Sequence, residues 1–188
     1  MDVLAKYRAT VTVDLLQWEY QSALLSFLEG RGSRDLVVFH ASPPCTEYSR
    51  AKTKGVRDLK KADLLVKRVL EILSFVNPDY WTLENPVGLL RTRSFMKSWS
   101  GCMHTCSYCK YGTSYRKNTN IWTNATCSLR KCCKASPCRF LKNGVHIRTA
   151  QCGTGKRTFC KARGCSSREK LYALPYKLVK AIYAGVLR

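Results

Sequence analysis

Apolar residues recur along the first half of the chain in two rhythms. ATVTVD (residues 9–14) is a β-branched run closed by an acid, and it predicts a strand with Asp14 at its carboxyl end. Gln17 to Glu29 predicts a short helix stopped by GRGS. LVVFHA (36–41) is apolar without alternation, the pattern of a strand buried on both faces, and this favours a parallel sheet. In KKADLLVKRVLEILSFV (60–76) the apolar residues at 64, 65, 69, 72, 73 and 76 have helical spacing, and Asn77-Pro78 ends the helix. YWTLENP (80–86) then predicts a second strand, parallel to the first through a right-handed crossover. NIWTNA (120–125) predicts a further strand. The C-terminal stretch reads as a helix start, a break at Pro175 and a second amphipathic helix.

The fold class is therefore α/β with a parallel-rich sheet. Ligands of such sheets sit outside the carboxyl ends of the strands. Asp14, Cys45 and Glu84 all fall at or just past such ends. Cys45 lies in ASPPCTEYSR, where Pro43 and Pro44 fix φ and present the thiol on a stiff turn. Alone, that thiol reads either as a nucleophile or as a small buried hydrophobe. Glu84 alone reads either as an acid–base group or as a helix cap or salt-bridge partner. Together they make a chemical pair: a carboxylic acid can protonate a ring nitrogen while a thiolate attacks the ring. A cysteine hydrolase would instead need a histidine near Cys45, and His40 is the nearby candidate.

Charge changes the picture further. The chain of 188 residues carries a formal net charge of +21. Met1 to Glu84 holds 12 Lys or Arg against 11 Asp or Glu, whereas Asn85 to Arg168 holds 17 basic residues and no acidic one. A solvated surface normally mixes both signs, so the basic half predicts a polyanionic partner, nucleic acid before an anionic membrane. No apolar run approaches the roughly 20 residues that span a bilayer, and the N-terminus lacks the pattern of a signal peptide. A soluble, intracellular protein is expected, in the cytoplasm or nucleus.

Cysteine follows the same division. Of 11 cysteines, Cys45 stands alone in the first half and the other ten lie between Cys102 and Cys165. Without a signal peptide, metal ligation is expected over disulfides. Residues 126–166 are too short of apolar side chains to bury a core, so a zinc ion is an economical staple. Cys133, Cys138 and His146 supply three ligands of suitable spacing, with Cys109 as the fourth and Cys127 or Cys132 as alternatives. The thiols at 102, 106, 152, 160 and 165 could form a second site. Arg130, Lys131, Arg139, Lys142, Arg148, Lys156 and Arg157 lie between them and suit phosphate contact.

Pro43-Pro44-Cys45 and Glu84-Asn85-Pro86, in this order and spacing, resemble two motifs of the cytosine-5 DNA methyltransferases. YGTSYRKNTNIWTN (111–124) resembles that family's Tyr-Gly and Gln-x-Arg-x-Arg run, and SREKLYALP (167–175) its C-terminal motif. Compact cytosine methyltransferase-like proteins of phages and large viruses share PPCTEYS and the YRK-x-T-x-IWTN run. The resemblance implies a partial Rossmann-like class I methyltransferase fold with a small cysteine-rich zinc insertion. Residues 1–125 would be the catalytic core, 126–166 the target-recognition and zinc segment, and 167–188 helices packing back on the core.

The resemblance also implies a reaction. Cys45 would add to C6 of a flipped cytosine while Glu84 protonates N3, and S-adenosylmethionine would supply the methyl group for C5. Arg116 and Lys117 would hold the base O2 and a phosphate; Pro44, Asn85, Pro86, Tyr115 and Thr119 would shape the base pocket. Asp14 and Pro43 would meet the cofactor. Double-stranded DNA is the implied substrate, with RNA as a variant. Two departures stand out. Tyr115-Arg116-Lys117-Asn118-Thr119 replaces the Gln-x-Arg-x-Arg run, and no Phe-x-Gly-x-Gly loop precedes Asp14. The cofactor site is therefore expected to be incomplete. Three readings follow: a second chain supplies the missing strands, the protein is a non-catalytic nucleic-acid-binding derivative, or it has an unusual cofactor site.

Overall fold

The computed structural model describes residues 11–132, 137–150 and 171–185. Helix α1 (Tyr20–Glu29) and strand β1 (Val38–Ala41) are followed by the long helix α2 (Leu59–Val76). The Asp58 carboxylate caps α2 by accepting from the Lys61 N–H at 2.9 Å. Its far end closes on Asn77, held left-handed at φ 43°, with Pro78 beyond. Strand β2 (Tyr80–Pro86) returns parallel to β1, with Phe39 opposite Trp81 and Ala41 opposite Leu83. This strand–helix–strand unit is the one the apolar spacing predicts.

The rest of the sheet departs from expectation. β3 (Met103–Ser107) and β4 (Asn118–Thr123) complete the order β1-β2-β4-β3, and β4 runs antiparallel to both its neighbours. The sheet is mixed, with one parallel and two antiparallel pairings among the described residues, rather than parallel-rich. The link from β3 to β4 explains this. Residues 108–117 contain only a 3₁₀ turn, Tyr108–Tyr111, and no crossover helix, so β4 can only fold back beside β3.

The predicted first strand is also absent. Val11 to Asp14 pairs with nothing in a sheet, and Ala9 and Thr10 lie outside the described residues. Asp14 instead makes a turn: its carboxylate accepts from the Leu16 N–H at 3.0 Å and its carbonyl from the Gln17 N–H at 3.1 Å. Local Asx bonding competes with the β propensity of the valines.

Strand alternation gives the central strands β2 and β4 two buried faces, whereas β1 at the edge alternates exposed and half-buried residues. Trp122 points into a core with Tyr48, Leu83, Leu90, Met96 and the Val66–Val69 face of α2. Its neighbour Ile121 points the other way, toward Tyr108, Tyr111, Tyr115, Leu178 and Ile182. Leu178 and Ile182 come from α3 (Tyr176–Ile182), each at most 1 % exposed, and each contributes about 1.5–3 kcal/mol of apolar burial. The Tyr183 hydroxyl lies 2.7 Å from the Thr82 hydroxyl on β2, which fixes the end of α3 to the sheet. No helix of the described residues is long and apolar enough to cross a membrane.

One glycine locks the Cys45 loop to the end of β2. The Leu89 N–H donates to the Tyr48 carbonyl at 2.9 Å, and a Cβ on Gly88 would come well inside 3.0 Å of that same carbonyl oxygen. Only glycine fits this backbone approach. Gly88→Ala is expected to cost about 2–3 kcal/mol in chemical denaturation, through overpacking of backbone that cannot yield. A cost below the scatter of surface substitutions would show that the two loops are not locked.

Candidate functional site

Cys45 sits on the loop leaving β1, which is tied at both ends. Before the thiol, the Pro43 carbonyl accepts from Asn85 Nδ2 at 3.0 Å. After it, the Tyr48 N–H closes a turn on the Cys45 carbonyl at 3.1 Å, and the Tyr48 hydroxyl donates to Asp63 Oδ1 at 2.9 Å. Arg93 clamps the same carboxylate, with its shortest contact 2.6 Å from Nη2 to Oδ2. Burial and the Asp63 charge push the Tyr48 phenol well up, so it stays a neutral donor. The thiol is thus held by β2 on one side and α2 on the other.

Glu84, on β2, is only 5 % exposed. Its Oε1 accepts from the Tyr108 hydroxyl at 2.9 Å and faces the Lys117 ammonium at 3.4 Å. Lys117 Nζ also donates to the Leu171 carbonyl at 3.1 Å and lies 4.7 Å from the centre of the Tyr108 ring. Burial, then the Glu84 charge, drives the Tyr108 phenol far up, so it too remains a hydroxyl donor. Burial raises the Cys45 thiol above its ordinary value; Lys117 opposes that shift and Glu84 adds to it. A cleft of about 270 Å³ is lined by Cys45, Pro86, Arg116, Lys117, Thr149 and Tyr172 among others, and Lys117 links it to Glu84 behind the wall.

Of the residues singled out in the sequence, Cys45, Pro86, Arg116 and Lys117 line one cleft, with Glu84 paired to Lys117. Others lie elsewhere. Tyr115 is 5 % exposed in the core beneath α3, so it does not line the cleft. Thr119 is fully buried on β4 opposite Pro86 and Cys106. Asn85, also fully buried, acts on the loop through Pro43. His40 is exposed, its ring 3.1 Å from the Ser42 hydroxyl, so the contact that a cysteine–histidine hydrolase requires is not made. Tyr108, Thr149 and Tyr172 carry no signal of their role in the sequence. Tyr108 reads there as one aromatic among many.

A second cleft, of about 330 Å³, lies against the same loop. Pro44 and Thr46 line it, whereas Cys45 between them lines the first. Asp14, Glu47, Asp58, Leu16 and Leu65 complete the second wall. The expected division is therefore altered: Pro44, not the buried Pro43, stands with Asp14. Carboxylates beside an apolar wall could hold a cationic nucleoside such as S-adenosylmethionine, with Lys61 the one cation among the described lining residues.

The cysteine-rich segment brings four ligands together. Cys109, Cys132, Cys138 and His146 place their ligating atoms within 4.8 Å of one another. His146 Nε2 lies 3.4, 3.5 and 3.2 Å from the sulfurs of Cys109, Cys132 and Cys138. The cluster could hold a metal ion. Cys133 lies outside the described residues, as do Cys152, Cys160 and Cys165, and Cys132 stands where a fourth ligand is required. Cys127 is outside the cluster, Cys102 donates to the Trp99 carbonyl at 3.1 Å, and Cys106 is buried in the sheet core.

No protein-family model matches the chain. A protein of Frog virus 3 (isolate Goorha), named "Probable DNA (cytosine-5)-methyltransferase", is 28 % identical over 134 residues. The match covers 64 % of this chain and 58 % of that relative, so it spans little more than half of the viral protein. The chain is thus a distant homologue, over part of its length, of a viral protein named as a probable DNA (cytosine-5)-methyltransferase.

Proposed function

We propose that the chain carries the base-attacking site of a DNA (cytosine-5)-methyltransferase. The observation that carries this reading is the shared cleft: the tethered Cys45 and Lys117 both line it, and Lys117 is paired with buried Glu84. Cytosine C6 is out of reach in a stacked duplex, so the target base is flipped into this cleft. The Cys45 thiolate adds to C6, forming a C–S bond, as the Glu84 carboxyl relays a proton from solvent to N3. The carboxylate left behind is stabilised by the Tyr108 hydroxyl and the Lys117 ammonium. Asp14 and the Leu16–Leu65 wall would hold S-adenosylmethionine, whose sulfonium would make its methyl group electrophilic toward C5. Once C5 carries the methyl group, its proton passes to solvent water, the C6–S bond breaks to release the Cys45 thiolate, and Glu84 recovers the N3 proton.

Duplex DNA is the substrate in this reading. Arg116 at the cleft and the exposed Arg130, Lys131, Arg139 and Lys142 meet its phosphates. Zinc is the metal of the Cys109–His146 cluster, and the protein works in an intracellular compartment that holds DNA. The test is transfer of a labelled methyl group from S-adenosylmethionine to duplex DNA by the purified full chain. Label recovered as 5-methylcytosine is the expected result; a chain that binds both duplex and cofactor yet leaves no label at C5 would overturn it.

One observation favours a second reading, nucleic-acid binding without methyl transfer. Among the described residues no glycine lines the Asp14 cleft, so none of them gives a cofactor there the close backbone approach that glycine allows. A second chain supplying that turn would restore transfer. Addition of that chain would separate an incomplete enzyme from a binding protein.

A further inference from the structure

We infer that Cys109, Cys132, Cys138 and His146 form a closed tetrahedral site for a thiophilic divalent cation, and that this ion anchors the hairpin that builds one wall of the Cys45 cleft. The metal site stands on its own geometry; only the importance of the wall rests on the function proposed above.

The distances carry the first half. Zinc–sulfur bonds of about 2.3 Å and zinc–nitrogen bonds of about 2.05 Å at tetrahedral angles place sulfur and nitrogen about 3.5 Å apart. The three observed separations, 3.2 to 3.5 Å, are those of such a site. All four positions are protein ligands, which marks a structural ion rather than a catalytic one.

The local fold carries the second half. Cys109 lies in the 3₁₀ turn after β3 and directly follows Tyr108, whose hydroxyl holds Glu84. Cys138 and His146 flank a hairpin, β5 (Leu141–Lys142) and β6 (Val145–His146), turned by Asn143-Gly144 with φ of 51° and 72°. Two consecutive left-handed residues are what a tight type I′ turn demands. Leu141 then pairs with His146, which aims the imidazole at the thiols. The strand leaving the hairpin docks on Arg116: its N–H donates to the Arg148 carbonyl at 3.0 Å, and the Ala150 N–H donates to its carbonyl at 2.9 Å. Thr149 and Ala150 thereby enter the cleft wall opposite Cys45. Two-residue strands cannot hold this arrangement by themselves. The ion ties the wall to the turn that orients Tyr108.

The full chain stripped of metal and reloaded with cobalt(II) should show the visible absorption of a tetrahedral thiolate site. Cys109→Ser, Cys132→Ser and Cys138→Ser should each lose one bound equivalent, Cys133→Ser none, and His146→Cys should keep the ion with an all-sulfur spectrum. Stripping the unaltered chain should speed hydrogen exchange of the Arg116 and Ala150 amides at least about tenfold, leaving Ile121 protected. Octahedral spectra, or loss of metal in Cys133→Ser but not Cys132→Ser, would overturn the ligand set. Unchanged exchange at Arg116 and Ala150 would overturn the anchoring role. Since stripping needs no variant, misfolded substitutions leave both outcomes readable. No readout depends on methyl transfer, so failure here and failure of the proposed reaction are distinct.

Discussion

Cys45→Ser is expected to abolish a denaturation-resistant complex between the chain and duplex DNA carrying 5-fluorocytosine, formed by the unaltered protein in the presence of S-adenosylmethionine. Fluorine at C5 cannot leave as a cation, so a thiolate that has added to C6 stays bonded to the base. A serine hydroxyl in the same place has almost no alkoxide at neutral pH, and the rate should fall by at least about 10³-fold. The pH dependence follows from burial. The Cys45 thiol lies above its ordinary value, so below that point the thiolate fraction, and with it the rate at which iodoacetamide alkylates Cys45, should rise about tenfold per pH unit before levelling. Lys117 lowers the thiol's pKa, so removing its charge should move the levelling to higher pH. Persistence of the adduct in the serine protein would show that another group attacks the base. A flat pH profile would show that deprotonation of Cys45 does not limit attack.

The strand-end logic was legible because it needs only order and period. The run 36–41, the helical spacing of 60–76 and the run 80–86 set β1, α2 and β2 side by side, and therefore Cys45 near Glu84. Strand direction beyond that was not legible. The alternation of Asn118 to Thr123 is the same whichever way a strand runs, and the short link at 108–117 decided it. MHTCS, the sequence of β3, mixes polar and apolar residues too evenly to announce a strand. Which of two adjacent cysteines faces a cluster depends on a loop's path, so spacing alone offered Cys133 with Cys132 held in reserve. Tyr115 and Lys117 share a motif, yet one turns under α3 and the other to the cleft. Tyr108 shows the limit most plainly. It is recognisable only once the backbone has brought β2 and the turn after β3 together.

The second large effect is expected at Glu84 and Lys117. Their side chains are 6 % and 9 % exposed, whereas the Glu47–Lys52 pair keeps 23 % and 21 %. An exposed pair contributes about 0–1 kcal/mol, because water screens the attraction and the desolvation cost is small. A buried pair behaves differently: removing one partner leaves a charge with no water to return to, at about 3–5 kcal/mol. Lys117→Met should therefore lower stability by about that much, some 6–20 °C in melting temperature for a domain of this size. The Tyr108 hydroxyl would be Glu84's remaining donor among the described contacts. Glu84→Gln should also destabilise, though less, since Lys117 keeps the Leu171 carbonyl and the Tyr108 ring. The double variant should cost less than the sum of the two, by about 1–3 kcal/mol, the coupling expected of groups in direct contact. Denaturant unfolding of the four proteins at fixed metal content measures this cycle. Strict additivity would mean that the two charges do not feel each other, and a Lys117→Met cost below 1 kcal/mol would mean that water reaches Glu84. A core of this size could replace the pair with apolar side chains at little cost or some gain. Retaining an ion pair at the wall of a cleft beside a thiol makes sense where a ring must be protonated on one side and attacked on the other.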